Sequence, residues 1–515
     1  MIWTATVVSN IGSWMYAAGA GWLMTSLDPN PLVVSLVQVA DSLPLFLFAL
    51  PAGALADIVD RRLLLIVVEV VTTVVSLIFA ALVWLNLVTP ANLLLFVFLI
   101  GAAGALSAPA WQTIVSDLVP KATLPAAIAA NSVGVNVSRA IGPALGGVLI
   151  SAFGIASPFW INGISNVGVV GALCWWRPAT NSRTLPPERF VSAMRAGFRY
   201  TQNNPPFGAT LVRAAAFFLF ASSYWALLPL VARERVHAGP ELYGALLGAI
   251  GFGAVSAIFV LSPLRARFGA NRLVAAGTIG TAVAIALFGL ARQPLEALVA
   301  SVLAGICWVS VLATLNVSAQ VVLPNWVRGR GLAIYVMAFF GSLTVGSIVW
   351  GQLAGVAGLP ASLFIAAAGA VVAIPLTWHW KLNDGAGVDL DPSMHWPAPV
   401  VKEDLEDDQG PVVVTVEYSV AADRREAFLV AINNLARERR RDGAYAWEIL
   451  EDVAVPGRFL EMFSLDSWLE HLYQHERVTK TDNLLQTELA ALQQTGIPTV
   501  THFIAARPRR ADPPP

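Results

Sequence analysis

The chain has 515 residues, of which 56% are hydrophobic and 13% are charged, and its formal net charge at pH 7 is −1. This composition is too apolar for an ordinary soluble enzyme. The charges are also uneven, because residues 1–380 contain 28 Asp, Glu, Lys and Arg residues whereas residues 381–515 contain 37. We therefore expect a membrane domain followed by an aqueous domain.

About a dozen apolar stretches lie in the membrane domain, each near the roughly 20 residues that a helix needs to cross a bilayer. Each stretch must be helical, because lipid offers no partner for a free backbone amide. The first stretch has no basic lead-in and no cleavage site, so we expect no secretory signal peptide, and the true start codon could lie upstream. The predicted spans are residues 2–24, 32–56, 63–86, 91–110, 125–150, 157–176, 207–232, 241–262, 272–291, 294–318, 331–355 and 358–380.

Basic residues predict the orientation of the spans, because they are retained on the cytoplasmic side. Only Arg233, Arg235 and Arg292 lie in loops that follow odd-numbered spans. We therefore predict a multi-pass protein of the cell membrane with both termini in the cytoplasm. Thirteen basic residues lie in loops that follow even-numbered spans: Arg61, Arg62, Lys121, Arg177, Arg183, Arg189, Arg195, Arg199, Arg265, Arg267, Arg272, Arg328 and Arg330.

Three charged residues lie inside predicted spans of the first half. Asp41 is near the middle of the second span, Glu69 is under two turns into the third, and Arg139 is well inside the fifth. Such residues generally face an aqueous path or pair with one another. We predict that Asp41 carries a coupling proton and that Arg139 contacts substrate or tunes Asp41. Glu69 could instead pair with the basic loop or reach the membrane surface. Arg213, in the seventh predicted span, is expected to reach the inner membrane surface.

Two short motifs stand out in the first half. The loop between the second and third spans reads GALADIVDRR, residues 53–62, and its two arginines alone would fix the topology. The fifth span contains GPALGG, residues 142–147, which combines Pro143 with three glycines, Gly142, Gly146 and Gly147. Glycine-rich membrane helices pack closely. Packing alone explains the motif, and a further role in gating stays open.

The loop after the sixth span, residues 177–206, is the longest in the membrane domain. Phe190, Met194 and Phe198 recur in it at helical spacing, with arginines on other faces. This pattern predicts an amphipathic helix on the inner membrane surface.

An offset of 204 residues relates the segments on either side of that loop. Gly142 corresponds to Gly346 and Gly147 to Gly351, while DLVP at 117–120 corresponds to VVLP at 321–324. The fold class is therefore an all-α polytopic membrane protein of twelve transmembrane helices. Two six-helix halves, residues 1–176 and 207–380, are joined by a cytoplasmic loop, an organisation typical of secondary transporters. Such a protein binds substrate between its halves, where we expect aromatic residues such as Trp14, Trp22, Trp225 and Trp308.

The aqueous part begins with a predicted acidic linker, residues 381–410, and ends with a Pro-rich tail, residues 508–515. Between them, residues 411–507 have the order β-α-β-β-α-β, which predicts an α+β ferredoxin-like domain. The run RERRR at 437–441 is typical of a solvated helix end. We expect no nucleic-acid binding, because residues 381–515 contain 23 acidic and 14 basic residues.

His471 and His475 lie one helical turn apart in the same domain. Because no HExxH motif is present, we favour a surface or dimer-contact role for this pair over metal binding.

Several of these motifs resemble those of a known family. GALADIVDRR resembles the loop signature of the major facilitator superfamily at Gly53, Leu55, Asp57, Arg61 and Arg62, and departs from it at Ile58 and Asp60. GPALGG resembles the helix-5 motif of the family's drug and proton antiporters. SNIGSWM, PAWQTIVSDLVP and the soluble tail are similar to the enterobactin-exporter-like branch. Residues 411–507 resemble the dimeric α+β barrels of antibiotic-biosynthesis monooxygenases, but fold alone transfers no activity.

The resemblance implies roles for both motifs. Asp57 would cap a helix N-terminus in the other half and, with Arg61 and Arg62, hold the inner gate shut. Gly53 would let its helix approach a neighbour closely. GPALGG would also stiffen a bend that limits leak.

The expected function is proton-coupled export of small amphipathic molecules, such as siderophores, drugs or secondary metabolites, by alternating access. The expected partners are this substrate, protons and the bilayer, and a homodimer could form through the C-terminal domain. We expect no enzymatic activity, no metal and no cofactor, and the chain contains no GxxxxGK[ST] loop. One alternative is a metabolite importer of the same superfamily. Another is a membrane-anchored sensor or enzyme that acts through residues 411–507.

Overall fold

The structure is a computed structural model that describes residues 2–119, 123–176, 190–383, 389–393, 409–494 and 498–506. The chain forms two compact units. Unit 1 consists of Met1–Glu188, Ala209–Ser318 and Leu332–Asp384, and unit 2 of Arg189–Gly208, Ala319–Gly331 and Gly385–Pro515. Two segments of the predicted membrane domain therefore group with the C-terminal domain.

Some sequence predictions lie outside the described residues. They concern four of the basic loop residues, Lys121, Arg177, Arg183 and Arg189, most of the acidic linker and the Pro-rich tail 508–515.

Helices form nearly all of the described chain up to residue 377. Asn30 and Asp60 cap the second and third helices, because their side chains accept hydrogen bonds from the backbone N–H groups of Leu32 and Leu63. The helices are α1 (Ile2–Leu27), α2 (Pro31–Ile58), α3 (Arg61–Trp84), α4 (Pro90–Leu118), α5 (Leu124–Phe153), α6 (Ser157–Trp175), α7 (Phe190–Gln202), α8 (Pro205–Leu230), α9 (Pro240–Leu290), α10 (Pro294–Val321), α11 (Arg328–Ala357) and α12 (Leu359–Thr377).

Helix α9 contains two of the predicted spans. Gly269 interrupts its helical backbone with a φ of 73°, a conformation that glycine adopts without steric cost. The break lies between the predicted eighth and ninth spans.

Ten helical segments in the described part of the chain are long and apolar enough to cross a membrane. Helices α1 and α6 fall outside this set, so the count of twelve spans is not confirmed. Both carry polar side chains that bond to each other: Ser9 donates to the Asn166 side-chain oxygen at 2.6 Å. Asn162 donates to Ser76 in α3 at 3.1 Å. These hydrogen bonds satisfy polar groups that would be costly in lipid.

The C-terminal domain contains a four-stranded antiparallel sheet, formed by β1 (Val412–Ser419), β2 (Ala446–Glu451), β3 (Arg458–Leu465) and β4 (Thr499–Ile504) in the order β2-β3-β1-β4. Alternate residues of β1 and β3 are buried, as expected when one face of a sheet is covered. Helix α13 (Arg425–Asp442) contributes Phe428, Ile432 and Leu435 to the same core. Two further helices, α14 (Trp468–Arg477) and α15 (Lys480–Leu492), connect β3 to β4.

A buried ion pair joins α13 to the sheet. The Arg439 Nε lies 3.0 Å from Oε1 of Glu461, which is fully buried on β3. Tyr418 and Trp447 donate further hydrogen bonds to the Glu461 carboxylate at 2.8 and 2.9 Å. The prediction that residues 437–441 form a solvated helix end is therefore wrong for Arg439, because a partner on β3 compensates its burial.

Helix α7 also differs from its prediction. Tyr200 is buried in unit 2 and donates a hydrogen bond to the carbonyl oxygen of Val322 at 3.0 Å. Arg199 donates to Glu470 of α14 at 2.6 Å. One face of α7 thus packs against protein, whereas Phe198 on the predicted apolar face is exposed. That this apolar face rests on a membrane surface stays a prediction. The side chains of Phe190 and Met194 lie outside the described residues.

Candidate transport pathway

The glycines of GPALGG place α5 in close contact with two helices. A Cβ atom built on Gly142 would lie 2.6 Å from the Cβ of Trp14 in α1. One built on Gly147 would lie 2.5 Å from the carbonyl oxygen of Pro240 in α9. Gly146 faces Met15 of α1, and the carbonyl oxygen of Pro143 faces Gly244 of α9. Since α9 belongs to the second half, the motif packs both within one half and between the halves. A role in gating stays a prediction.

The second half repeats this arrangement. A Cβ built on Gly346 in α11 would contact Leu219 and Ser222 of α8, the first helix of its own half. One built on Gly351 would lie 3.2 Å from the Cα of Leu32 in α2, in the other half. The offset of 204 residues therefore relates two equivalent seams between the halves, α5 with α9 and α11 with α2.

Further contacts join the halves near the C-terminal ends of α1 and α5. Arg233 donates to the hydroxyl and the carbonyl oxygen of Thr25. Trp22 stacks on Tyr243 with ring centroids 6.1 Å apart, and Ser151 donates to Glu241 at 2.6 Å. These contacts hold the two halves together at this end of the bundle.

Asp41 lies beside the seam between α2 and α11. Its side chain is exposed, whereas those of Ala40 and Ser42 are buried. The Ser42 hydroxyl lies 2.8 Å from that of Thr344 in α11. Asp41 is therefore exposed although its neighbours on the helix are packed.

Arg139 lies on α5, and its side chain faces α1. Its guanidinium is 5.4 Å from the centroid of the Trp14 ring, and its buried Nε has no hydrogen-bond partner. A cation over an indole face gains about 0.5–2 kcal/mol. Among the described residues no ion pair joins Arg139 to Asp41, so direct tuning of one by the other stays a prediction.

Glu69 lines a cavity of about 710 Å³ in the first half. The Trp111 indole donates to its carboxylate at 3.3 Å. The wall also contains polar side chains that could bind a solute: Ser9, Asn10, Ser107, Gln112 and Asn131. Glu69 is therefore held by α4 in this structure and faces a space large enough for a small molecule.

The loop motif shows different roles for its residues. Arg62 donates to the carbonyl oxygens of Leu173 and Cys174, at 3.0 and 2.6 Å, and so satisfies the C-terminal end of α6 in the same half. Asp60, which departs from the family's loop signature, caps α3, and Arg61 is the first residue of that helix. No described atom lies within 4 Å of a Cβ built on Gly53, so the close approach expected there is absent in this conformation. The side chain of Asp57 lies outside the described residues.

An aromatic cluster fills the second half around Trp308. Its ring centroid is 5.4 Å from that of Trp225 and 5.2 Å from that of Phe218. Trp308 is only 7% exposed, so in this conformation it is packed within the cluster, and the expectation that it lines a substrate pocket stays a prediction.

Arg213, which was predicted to reach the inner membrane surface, is buried in this structure. It is 3% exposed and donates to the carbonyl oxygens of Thr377 and Asn271 at 3.3 and 3.4 Å. The guanidinium therefore satisfies one backbone carbonyl at the end of α12 and another in α9.

Sequence reasoning missed the partner of GPALGG. Gly244 and Gly248 of α9 pack against α5, and they form a GxxxG pattern in GALLG. That pattern is a known signal for close helix contact in membranes, so it could have identified the inter-half seam.

Comparison with known proteins identifies the group to which this bundle is related. Residues 1–510 match the model of a family described as transmembrane secretion effector. The chain is 24% identical over 259 residues to the staphyloferrin A transporter of Staphylococcus aureus, which covers 49% of this chain and 63% of that protein. It is 28% identical over 240 residues to the enterobactin exporter EntS of Shigella flexneri, covering 45% and 55%. The chain thus spans less than two thirds of the length of these two relatives.

A longer match and a solved structure extend the comparison. The multidrug efflux pump Tap of Mycolicibacterium fortuitum is 24% identical over 380 residues, which cover 70% of this chain and 90% of that protein. A crystal structure of the nucleoside transporter NupG superimposes with a TM-score of 0.60 at 12% identity, covering 74% of this chain and 100% of that one. At this identity the structural likeness establishes the fold alone.

Proposed function

The chain belongs to the transmembrane secretion effector family of the major facilitator superfamily, and from that premise we propose that it exports small amphipathic molecules in exchange for protons. The relatives named above as a siderophore transporter, a siderophore exporter and a multidrug efflux pump support this substrate class. Both termini would lie in the cytoplasm, as the basic loops predict.

The observation that carries the proposal is the exposed position of Asp41 beside the α2–α11 seam. An ionised side chain facing hydrocarbon is costly, so intramembrane carboxylates generally face water-filled paths. A proton on Asp41 would remove that charge. Because the group adjoins a contact between the halves, its protonation could bias how the halves pack.

The glycine seams provide a way for the halves to move. At these glycines the helices touch through van der Waals contacts, and the seams also include the hydrogen bonds Ser42–Thr344 and Ser151–Glu241. In lipid such packing is the main force between helices. Alternating access would open the seams at one end of the bundle while the other end closes.

A single proton supplies enough free energy for a useful gradient. Moving one charge through 100 mV yields about 2.3 kcal/mol. Each tenfold concentration gradient costs about 1.4 kcal/mol. One proton per neutral substrate could therefore sustain a gradient somewhat above tenfold, without nucleotide hydrolysis.

Transport into inside-out vesicles tests the proposal. A panel of fluorescent amphipathic cations, neutral dyes and catechol-type siderophores is added outside, with the lumen acidified. We expect at least one class to accumulate, and a protonophore to abolish the accumulation. Accumulation that is indifferent to the protonophore would contradict proton coupling. Uptake only into right-side-out vesicles would favour the importer.

A sensor or enzyme that acts through residues 411–507 is the competing function. Deleting these residues should leave vesicle accumulation measurable if the bundle is the exporter. Complete loss with an intact, correctly inserted bundle would favour the competitor.

A further inference from the structure

Three histidines meet in the C-terminal domain. His471 and His475 lie one turn apart on α14, and His502 lies on β4. The ring centroid of His471 is 4.8 Å from that of His475 and 4.7 Å from that of His502. One nitrogen from each ring lies within 4.8 Å of the others. The i, i+4 pair was predicted from the sequence, whereas the third histidine lies 27 residues downstream of His475 and joins the pair through the sheet.

The centre of this group is buried and unsatisfied. His471 is 1% exposed, and neither of its ring nitrogens has a hydrogen-bond partner. Gln474, also on α14, is fully buried, and neither atom of its amide has a partner. Leaving a buried polar group unpaired costs about 1–3 kcal/mol, so a ligand that binds these side chains would stabilise this part of the domain. The expectation of a surface role for His471 is therefore wrong.

The geometry points to a site for a divalent transition-metal ion of the Zn²⁺ class, held by His471, His475 and His502. Imidazole nitrogen is a preferred ligand of Zn²⁺, whereas Mg²⁺ and Ca²⁺ prefer oxygen ligands. In a tetrahedral zinc site with Zn–N bonds of about 2.0–2.1 Å, the nitrogens lie about 3.3 Å apart. Side-chain rotations that move the nitrogen atoms by roughly an ångström would bring the three rings to that spacing. A water molecule or the Gln474 side-chain oxygen would complete the coordination.

The site would stabilise α14 against the sheet, because two ligands come from the helix and one from β4. The same helix contacts two other segments of unit 2. Glu470 accepts hydrogen bonds from Arg199 and Arg477 at 2.6 and 2.7 Å, and the Arg477 guanidinium lies 4.5 Å from the Trp326 ring centroid. A bound ion would therefore fix the helix to which α7 and the α10–α11 connection attach.

Metal binding to the purified full-length protein tests this inference. The protein carries a tag without histidine and is stripped with a chelator, and Co²⁺ and then Zn²⁺ are titrated in. We expect one Co²⁺ per chain with the intense visible absorption of a tetrahedral site, displaced by Zn²⁺. His475→Ala and His502→Ala should each weaken binding by more than about 100-fold, because even outer partners of a metal site contribute 10–100-fold. His379→Ala, outside the cluster, is the matched control.

A second readout separates loss of the site from loss of the fold. Zn²⁺ should slow proteolysis of the C-terminal domain in the wild type and in His379→Ala, and should have no such effect in the other two variants. Each variant is first compared with metal-free wild type for helix content. The inference is overturned if wild type takes up no stoichiometric Co²⁺, or if His475→Ala and His502→Ala bind it as wild type does.

Discussion

Each of the two units is stabilised internally by a different kind of contact. In unit 1, α5 meets α9 where Gly147 and Gly244 let the backbones touch. In unit 2, α13 meets the sheet through the ion pair of Arg439 and Glu461, both buried. Lipid provides no hydrophobic force between helices, so close packing of small residues must hold them. In the aqueous domain a buried charge demands a specific partner. We therefore expect the first kind of contact to part and re-form more readily than the second.

Removing the buried carboxylate of Glu461 should strongly destabilise the C-terminal domain in unit 2. Glu461→Gln leaves the Arg439 guanidinium buried without a counter-charge, which costs about 3–5 kcal/mol. Pulse proteolysis of the full-length protein in urea should show early cleavage of the C-terminal domain. The control is Glu417→Gln, because Glu417 forms an exposed pair with Arg458 at 2.9 Å, worth about 0–1 kcal/mol. Equal effects of the two substitutions would refute the distinction.

The attachment of α7 within unit 2 should also depend on a partly buried charge pair. Arg199→Ala removes the 2.6 Å hydrogen bond to Glu470, worth about 1.5–3 kcal/mol between charged groups. We expect hydrogen exchange in residues 190–202 to accelerate about tenfold or more. Arg195→Ala is the control, because its 3.8 Å pair with Asp466 is exposed. The attachment is assigned wrongly if Arg195→Ala accelerates exchange as much.

The seam of unit 1 should respond to added volume. Gly147→Ala places a methyl group 2.5 Å from the Pro240 carbonyl oxygen, and such overpacking costs about 1–3 kcal/mol. We expect a shift toward conformations in which α5 and α9 separate. Spin labels on Phe153→Cys and His237→Cys, with Cys174 and Cys307 replaced by serine, would report longer distances. Gly168→Ala is the control, since no described atom lies within 4 Å of a Cβ there; a longer distance in it would undermine the assignment.

A buried acid should give unit 2 a pH dependence. Burial, and after it the nearby carboxylate of Asp482, raise the pKa of Glu438 to about 9. The folded domain therefore retains a proton that the unfolded chain releases above a pKa of 4.5. The resulting stability is complete below that pH and is lost as the pH rises toward 9, by at most about 1.4 kcal/mol per pH unit. Glu438→Gln should flatten this dependence in pulse proteolysis between pH 5 and 9; an unchanged slope would exclude Glu438 as its source.

Much of unit 1 could be predicted from local pattern. The lengths of the apolar stretches located the helices, and the 204-residue repeat located Gly147 and Gly351. Both features are patterns that can be read directly from the sequence. The membrane partner of GPALGG needed a second pattern, the GxxxG of α9. Whether α1 and α6 count as spans could not be decided by hydropathy, since Ser9 and Asn166 compensate each other's polarity only after folding.

Unit 2 was harder to predict, because its contacts join residues distant in sequence. A basic run such as 437–441 normally indicates a solvated helix end, and only the fold reveals that Arg439 faces Glu461. Likewise His502 becomes a neighbour of His471 only when β4 joins the sheet. The charge pattern of α7 indicated an amphipathic helix but not what its buried face would contact.

Proton movement by an Asp41→Asn variant tests the central claim most directly. The purified protein is reconstituted with a pH-sensitive dye in the lumen, and a transported substrate is added on one side. The account predicts that substrate drives proton movement in wild type and in the control Asp28→Asn, whose site is an exposed turn between α1 and α2, but not in Asp41→Asn. Wild-type proton flux in Asp41→Asn, with normal folding and substrate binding, would contradict it.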